Sequence, residues 1–183
     1  MADHVAERIG ELGLDAYGLV GHSMGGKVAV ALAARCPEGL QSIVLLAPSP
    51  PTAEPIDREQ RMMLLNAWGA KRALGDIIDT AVVRTLSADV RATLLEDMLG
   101  ASRQAWNGWL LAGSREDISA SVAPINVPVL VVSGDGDTAI LTAVMETELL
   151  PRLANVGLAV IAGAGHLLPL EAIAESTCLI LAP

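Results

Sequence analysis

The stretch Gly21-His22-Ser23-Met24-Gly25-Gly26 constrains this chain more than any other. It fits the pattern G-x-S-x-G, and its flanks suit that pattern. Asp15 to Val20 reads as a short buried strand, and Lys27 to Arg35 as a helix rich in alanine. A strand that turns directly into a helix forces the central residue into a strained backbone conformation. Small neighbours are then required, because a Cβ at Gly21 or Gly25 would collide with the opposite limb of the turn. The turn lifts the Ser23 hydroxyl clear of the sheet edge and aims the helix N-terminus, with its free N–H groups, at whatever Ser23 attacks. Ser23 is therefore a candidate nucleophile.

A rival reading uses the same residues. Gly21-x4-Gly26-Lys27 matches most of the phosphate-cradling loop G-x-x-x-x-G-K-[ST], but Val28 stands where a hydroxyl would bind magnesium. The next strand, ending in Ala47-Pro48, supplies no acid to hold a metal. The nucleotide reading is the weaker one. A third reading makes the stretch a plain glycine-rich turn.

The length of 183 residues suits one domain with a substantial core. Hydrophobic residues make up 52% and charged residues 18%, which excludes a disordered chain. The net charge of −9 argues against nucleic acid or an anionic membrane as partner. Cys36 and Cys178 are far apart and show neither ligand spacing nor a disulfide framework. No signal peptide is visible and no apolar run reaches membrane-spanning length, so a cytoplasmic protein is expected. No cofactor or metal is expected either.

Ala2 to Leu12 has the periodicity of an amphipathic helix, ended by Gly13, and its His4 reads as solvated. After the helix that follows Ser23 stops near Cys36-Pro37, Ser42 to Ala47 reads as a second buried strand. Strand, helix, strand with apolar runs indicates a mainly parallel α/β sheet. From Thr52 to Val122 the character changes. Helical segments are predicted around Arg58 to Trp68, Asp76 to Leu86, Asp89 to Leu99 and Ser102 to Leu111, with no strand among them. Residues 52–122 therefore read as a helical insertion, a cap or lid, between core segments 1–51 and 123–183. Trp106 and Trp109 share a helix face there. They wall an apolar substrate pocket or simply pack the insertion onto the body. Val127 to Ser133 and Gly157 to Ala162 are predicted as the third and fourth strands. Thr138 to Leu153 reads as a helix broken near Pro151, and Leu168 to Leu181 as a last helix.

The chemistry comes from three loops. An unactivated serine hydroxyl is a poor nucleophile and needs a base within hydrogen-bond reach, with a group to orient that base. In a parallel sheet the loops after the strands emerge at one carboxyl edge. Those loops carry Ser23, an acid at Asp135 or Asp137, and His166. His22 adjoins the nucleophile, has poor geometry as its base, and reads as structural or pocket-lining.

The sequence resembles the α/β-hydrolase fold, in particular its lidded esterase and lactonase-like members. Gly21-His22-Ser23-Met24-Gly25-Gly26-Lys27 resembles the elbow of that family. Val129 to Asp137 (V-L-V-V-S-G-D-G-D) resembles its acid strand, and Gly163 to Glu171 (G-A-G-H-L-L-P-L-E) its histidine loop. The chain order Ser, Asp, His is the family order. The resemblance implies Asp137 as the acid, third after the glycine, with Asp135 as fallback. It implies His166 as base and acid, and the Met24 N–H as an oxyanion donor. It also implies a small-molecule ester or lactone substrate, or a C–C bond next to a ketone.

One departure from the family pattern sets two further expectations. Family members carry several strands before the elbow, including one whose loop gives a second oxyanion N–H, and no such loop precedes Ser23 here. The chain looks like the C-terminal strands only. Weakened catalysis is expected, and the first strand becomes an apolar edge open to self-association. The alternative is a catalytically inactive, hydrolase-like fragment or binding module.

Overall fold

The computed structural model describes residues 1–181. The last two residues of the predicted core segment 123–183 lie outside the described residues. Four strands form one parallel sheet in the order β1-β2-β3-β4: Tyr17–His22, Leu40–Leu46, Val129–Gly134 and Val156–Ile161. The α/β class and the parallel sheet expected from the apolar runs are therefore what the chain forms.

Side chains alternate across β2, and the alternation splits the core in two. Ile43 and Leu45 point to one face, where α2 (Met24–Ala33) and α7 (Thr142–Glu148) cover them with Val30, Ala33 and Met145. Val44 and Leu46 point to the other, against Leu168 of α8 (Leu168–Glu171) and Ala172 just beyond it. A sheet covered on both faces needs strands that are apolar throughout, which is why these runs lack a polar alternation. α1 (Ala2–Leu12) packs beside α2 and ends at Gly13, in a left-handed conformation at φ 60°. β1 pairs with β2 alone among the described residues, and Val20 on it is 53% exposed.

Between β2 and β3 run α3 (Arg58–Ala67), α4 (Lys71–Ala81), α5 (Ala88–Gly100) and α6 (Arg103–Leu111). Asp57, Ser87 and Ser102 cap α3, α5 and α6 by accepting from the N–H groups of Gln60, Val90 and Ala105. These four helices bury their own cluster of Ala67, Leu74, Ile78 and Leu95. One of these four differs from expectation. The predicted Asp76 to Leu86 segment starts earlier, at Lys71, and stops at Ala81. Just past its end, the N–H groups of Val83 and Arg84 donate to the Glu171 carboxylate instead of continuing the helix. Near the end of the chain, the single predicted helix is divided at Ala172 into α8 and α9 (Ile173–Leu181). The helix predicted over Thr138 to Leu153 reduces to α7 and a short turn at Leu150–Arg152.

Candidate active site

At the carboxyl end of β1 the chain turns into α2 through Ser23, whose φ of 52° lies where L side chains are strained. The strain is held by three backbone bonds. Ser23 N–H donates to Leu46 O at 3.0 Å, and its own carbonyl accepts from Gly26 and Ser49, each at 2.9 Å. The close approach falls at Gly21 and Gly26. A Cβ on Gly21 would lie 2.6 Å from Gly25 O, and one on Gly26 would lie 2.5 Å from Pro48 Cβ. Gly25 was expected to be the second constrained position, yet a Cβ there meets nothing within 4 Å. For Gly21 the tight neighbour is the opposite limb of the turn, as expected; for Gly26 it is Pro48, just past the end of β2.

Three loops meet above this turn. His166 Nε2 lies 2.8 Å from Ser23 Oγ, and His166 Nδ1 lies 2.8 Å from Asp137 Oδ2. Asp137 is 3% exposed. Its other oxygen, Oδ1, accepts from the N–H groups of Ala139 at 2.8 Å and Ile140 at 2.9 Å. Those bonds satisfy the buried carboxylate and fix its direction, so Nδ1 of His166 carries the proton and Nε2 is left to accept from the serine. Asp135 does not reach His166. It is exposed, and its Oδ1 accepts from Gly163 N–H at 2.7 Å, tying the acid loop to the histidine loop. Met24 is the first residue of α2, so its N–H has no partner within the helix.

His22 has a bond that the sequence does not reveal. Its Nε2–H donates to the carbonyl of His166 at 2.8 Å, and the two rings lie 5.2 Å apart. Burial holds the His22 pKa below its ordinary value, against the pull of that bond. The two tryptophans diverge. Trp106 packs with the α3–α5 cluster and donates its Nε1–H to Leu64 O at 2.9 Å. Trp109 faces an open trough of about 810 Å³ that Met24, Lys27 and Val28 also line. His4 is on the surface beside Glu7.

Lys27 is buried at 4% exposure, and its ammonium donates to the carbonyls of Thr52, at 2.9 Å, and Glu116. Burial lowers its pKa, with Glu54, Glu116 and Asp117 opposing. An ammonium committed to two carbonyls is not presented to a phosphate, which disfavours the nucleotide reading of the loop. Beside it, burial raises the pKa of Glu54. Ser49 Oγ lacks a partner at normal hydrogen-bond geometry, yet it is near enough to oppose that shift. Among the described residues, no group of three or more His, Cys, Asp or Glu side chains is placed to hold a metal ion, and no helix is long and apolar enough to cross a membrane.

A strained serine at a strand-to-helix turn, bonded to a histidine that is bonded to a buried aspartate, is the constellation of one large fold family. The chain belongs to the alpha/beta hydrolase family, whose model matches residues 1–175. It is 27% identical over 165 residues to a 2-succinyl-6-hydroxy-2,4-cyclohexadiene-1-carboxylate synthase of Serratia proteamaculans (strain 568). That match covers 84% of this chain and 62% of the synthase, so the chain spans less than two thirds of that relative's length. An esterase from Exiguobacterium antarcticum superposes with a TM-score of 0.89 at 18% identity, over 100% of this chain and 71% of the esterase. A bromoperoxidase from Bacillus anthracis gives 0.84 at 19% identity, over 98% and 71%. At these identities the two structures speak to the fold.

Proposed function

We propose that this chain is a serine hydrolase that cleaves a small carboxylic ester or lactone through an acyl-serine intermediate. The observation that carries the reading is the linked set of Ser23 Oγ, His166 Nε2 and Asp137 Oδ2, each link 2.8 Å long. The names of the similar proteins, a synthase, an esterase and a bromoperoxidase, span different reactions on one fold, so the reaction class rests on the site.

In the proposed mechanism His166 Nε2 takes the proton from Ser23 as Oγ bonds to the ester carbonyl carbon. The carbonyl oxygen becomes an oxyanion, which the Met24 N–H and the positive end of α2 stabilise. Asp137 holds the imidazolium that forms. The oxyanion collapses, the C–O bond to the alcohol breaks, and His166 returns the proton to the departing oxygen. Water then repeats the sequence on the acyl-serine, with His166 as base, and releases the acid. Residues 52–122 act as a cap over the site.

Intact-mass labelling with a fluorophosphonate tests this directly, since the reagent needs an activated serine and no particular substrate. One adduct on the wild-type chain and none on Ser23→Ala is the expected result. No adduct on folded wild-type chain would sink the reading in favour of an inactive, hydrolase-like module.

A further inference from the structure

The ring of His166 is fixed by Ser23 and Asp137, but something must also hold its backbone. The residues just before it, Gly163-Ala164-Gly165, have little stiffness of their own. The support comes from the segment after α4. His166 N–H donates to Ala81 O at 2.7 Å. One carboxylate completes the joint. Glu171, at the end of α8, accepts from Val83 N–H at 2.9 Å and Arg84 N–H at 3.0 Å through Oε2. Through Oε1 it accepts from Leu167 N–H, the residue after His166, at 3.1 Å.

Three features reinforce this joint. The Arg84 guanidinium donates to the carbonyls of Gly163 at 3.1 Å and Ala162 at 2.9 Å, and bonds to Glu175 at 2.6 Å. The Leu167 side chain packs against the cluster of Ala67, Leu74, Ile78 and Leu95. A Cβ on Gly165 would lie 2.7 Å from Ala81 O and 3.1 Å from Glu171 Oε1, so the two segments are in direct backbone contact.

We propose that Glu171 is a positioning residue for His166, fixing the imidazole by locking Leu167 to the segment that leaves α4. This inference rests on the serine-hydrolase reading of Ser23, His166 and Asp137. Charge-assisted bonds to a carboxylate are shorter and stronger than neutral ones. Here one carboxylate joins the N–H groups of two segments that have no sheet or helix ladder between them, beside the bonds made by Ala81 O and the Arg84 guanidinium. Glu171 is half-buried and Val83 is exposed, so water replaces the lost acceptor in a variant and the fold survives. Water does not fix the distance. The imidazole then samples positions out of reach of Ser23 Oγ, and a misplacement of about 1 Å costs up to roughly 10²-fold in rate.

The test compares wild type with Glu171→Ala and Glu171→Gln. Three readings are taken: the fluorophosphonate labelling rate, kcat and KM for p-nitrophenyl acetate, and the proton NMR line of His166 Nδ1–H. For Glu171→Ala the labelling rate and kcat are expected to fall together, by roughly tenfold to 10²-fold. KM is expected to hold, and the Nδ1 line to broaden. Glu171→Gln keeps one acceptor oxygen and is expected to recover part of the rate and a narrower line.

A Glu171→Ala protein with labelling within about twofold of wild type and an unchanged line would overturn the proposal, whatever its melting temperature, since a purely structural role leaves the ring in place. Should Glu171→Ala fail to fold, Glu171→Gln decides alone, and wild-type rate with wild-type line width overturns it. A wild-type chain that takes no adduct defeats the serine-hydrolase reading. The Nδ1 line still decides whether Glu171 places the ring, and an unchanged line in the variants overturns that placement too.

Discussion

Lys27 joins Thr52 at the start of the helical connection to Glu116 at its end, by giving its ammonium to both carbonyls. The residue belongs to α2, one turn past Ser23, so the connection is fastened at both roots to the helix that carries the elbow. Replacing Lys27 by Met keeps most of the stem's packing and leaves two carbonyls without a donor. Each such loss costs about 1–3 kcal/mol where water cannot enter. Lys27→Met is expected to be less stable at neutral pH by about 1–3 kcal/mol for each of the two carbonyls that water does not reach, measured by urea unfolding. Burial sets the lysine pKa below 10.5 in the folded chain, so the unfolded chain binds more protons between the lowered value and 10.5. Wild-type stability is therefore expected to gain on the Met variant as pH rises through that window.

His22 offers a second linkage test. Its folded pKa lies below 6.5, with burial as the largest cause. The unfolded chain then binds more protons between the lowered value and 6.5, and stability is lost as pH falls through that window. His22→Leu is expected to lack this part of the acid loss in chemical-denaturation curves taken across pH 4–7. It also removes the donor to His166 O, and His22→Gln is expected to retain more labelling activity than His22→Leu.

Glu54 has the opposite sign. Burial lifts its carboxyl above 4.5, so the folded chain holds the extra proton and stability falls as pH rises through the raised value. Glu54→Gln is expected to be more stable than wild type at pH 7 and to lose that advantage as pH falls to 4.5 and below. Thermal melts at the two pH values decide it. A variant less stable at pH 7 would mean that the attraction to Lys27 outweighs the burial.

The position of β1 at one end of the sheet formed by the described residues leads to a prediction about association. With one strand neighbour among the described residues and Val20 exposed, β1 presents unpaired backbone groups beside an apolar face. Gel filtration over a range of loading concentrations is expected to show self-association, reduced in Val20→Lys. A concentration-independent monomer in the wild type would count against it.

The elbow was legible because its glycines, its serine and the change from strand to helix all lie within a few residues. The order of Ser23, Asp137 and His166 is legible for a different reason: each sits in a loop directly after an apolar run that marks a strand, and such loops share one edge of a parallel sheet. The choice between Asp137 and Asp135 was not local. Both sit in the same turn, and only the fold shows that Asp135 is spent on Gly163 N–H. The second constrained glycine is not legible locally, because its neighbour, Pro48, comes from the loop after another strand. The boundaries of α4 are hidden in the sequence for two reasons. Ala70 gives no capping side chain to mark its start, and Val82, Val83 and Leu86 continue an apolar pattern after the helix has ended. The links from His22, Ala81 and Glu171 to the histidine loop leave no pattern in a single sequence. Two of them end on a backbone carbonyl, and the third is a carboxylate receiving backbone N–H groups from segments far apart in the chain.

Where the helical connection leaves and rejoins the sheet, Ile118 N–H donates to Pro51 O and Glu54 N–H to Ser114 O, both at 2.8 Å. An excursion whose ends already touch behaves as a cassette. A different run of helices grafted between the same two roots leaves β2 and β3 where they are. What limits such exchange is the second fastening at Ala81 to Arg84, which any replacement has to reproduce to keep the histidine loop seated. Under the proposed reading of these helices as a cap, substrate range on this frame is free to drift by swapping helices on either side of that short latch, while the latch itself is held to one shape.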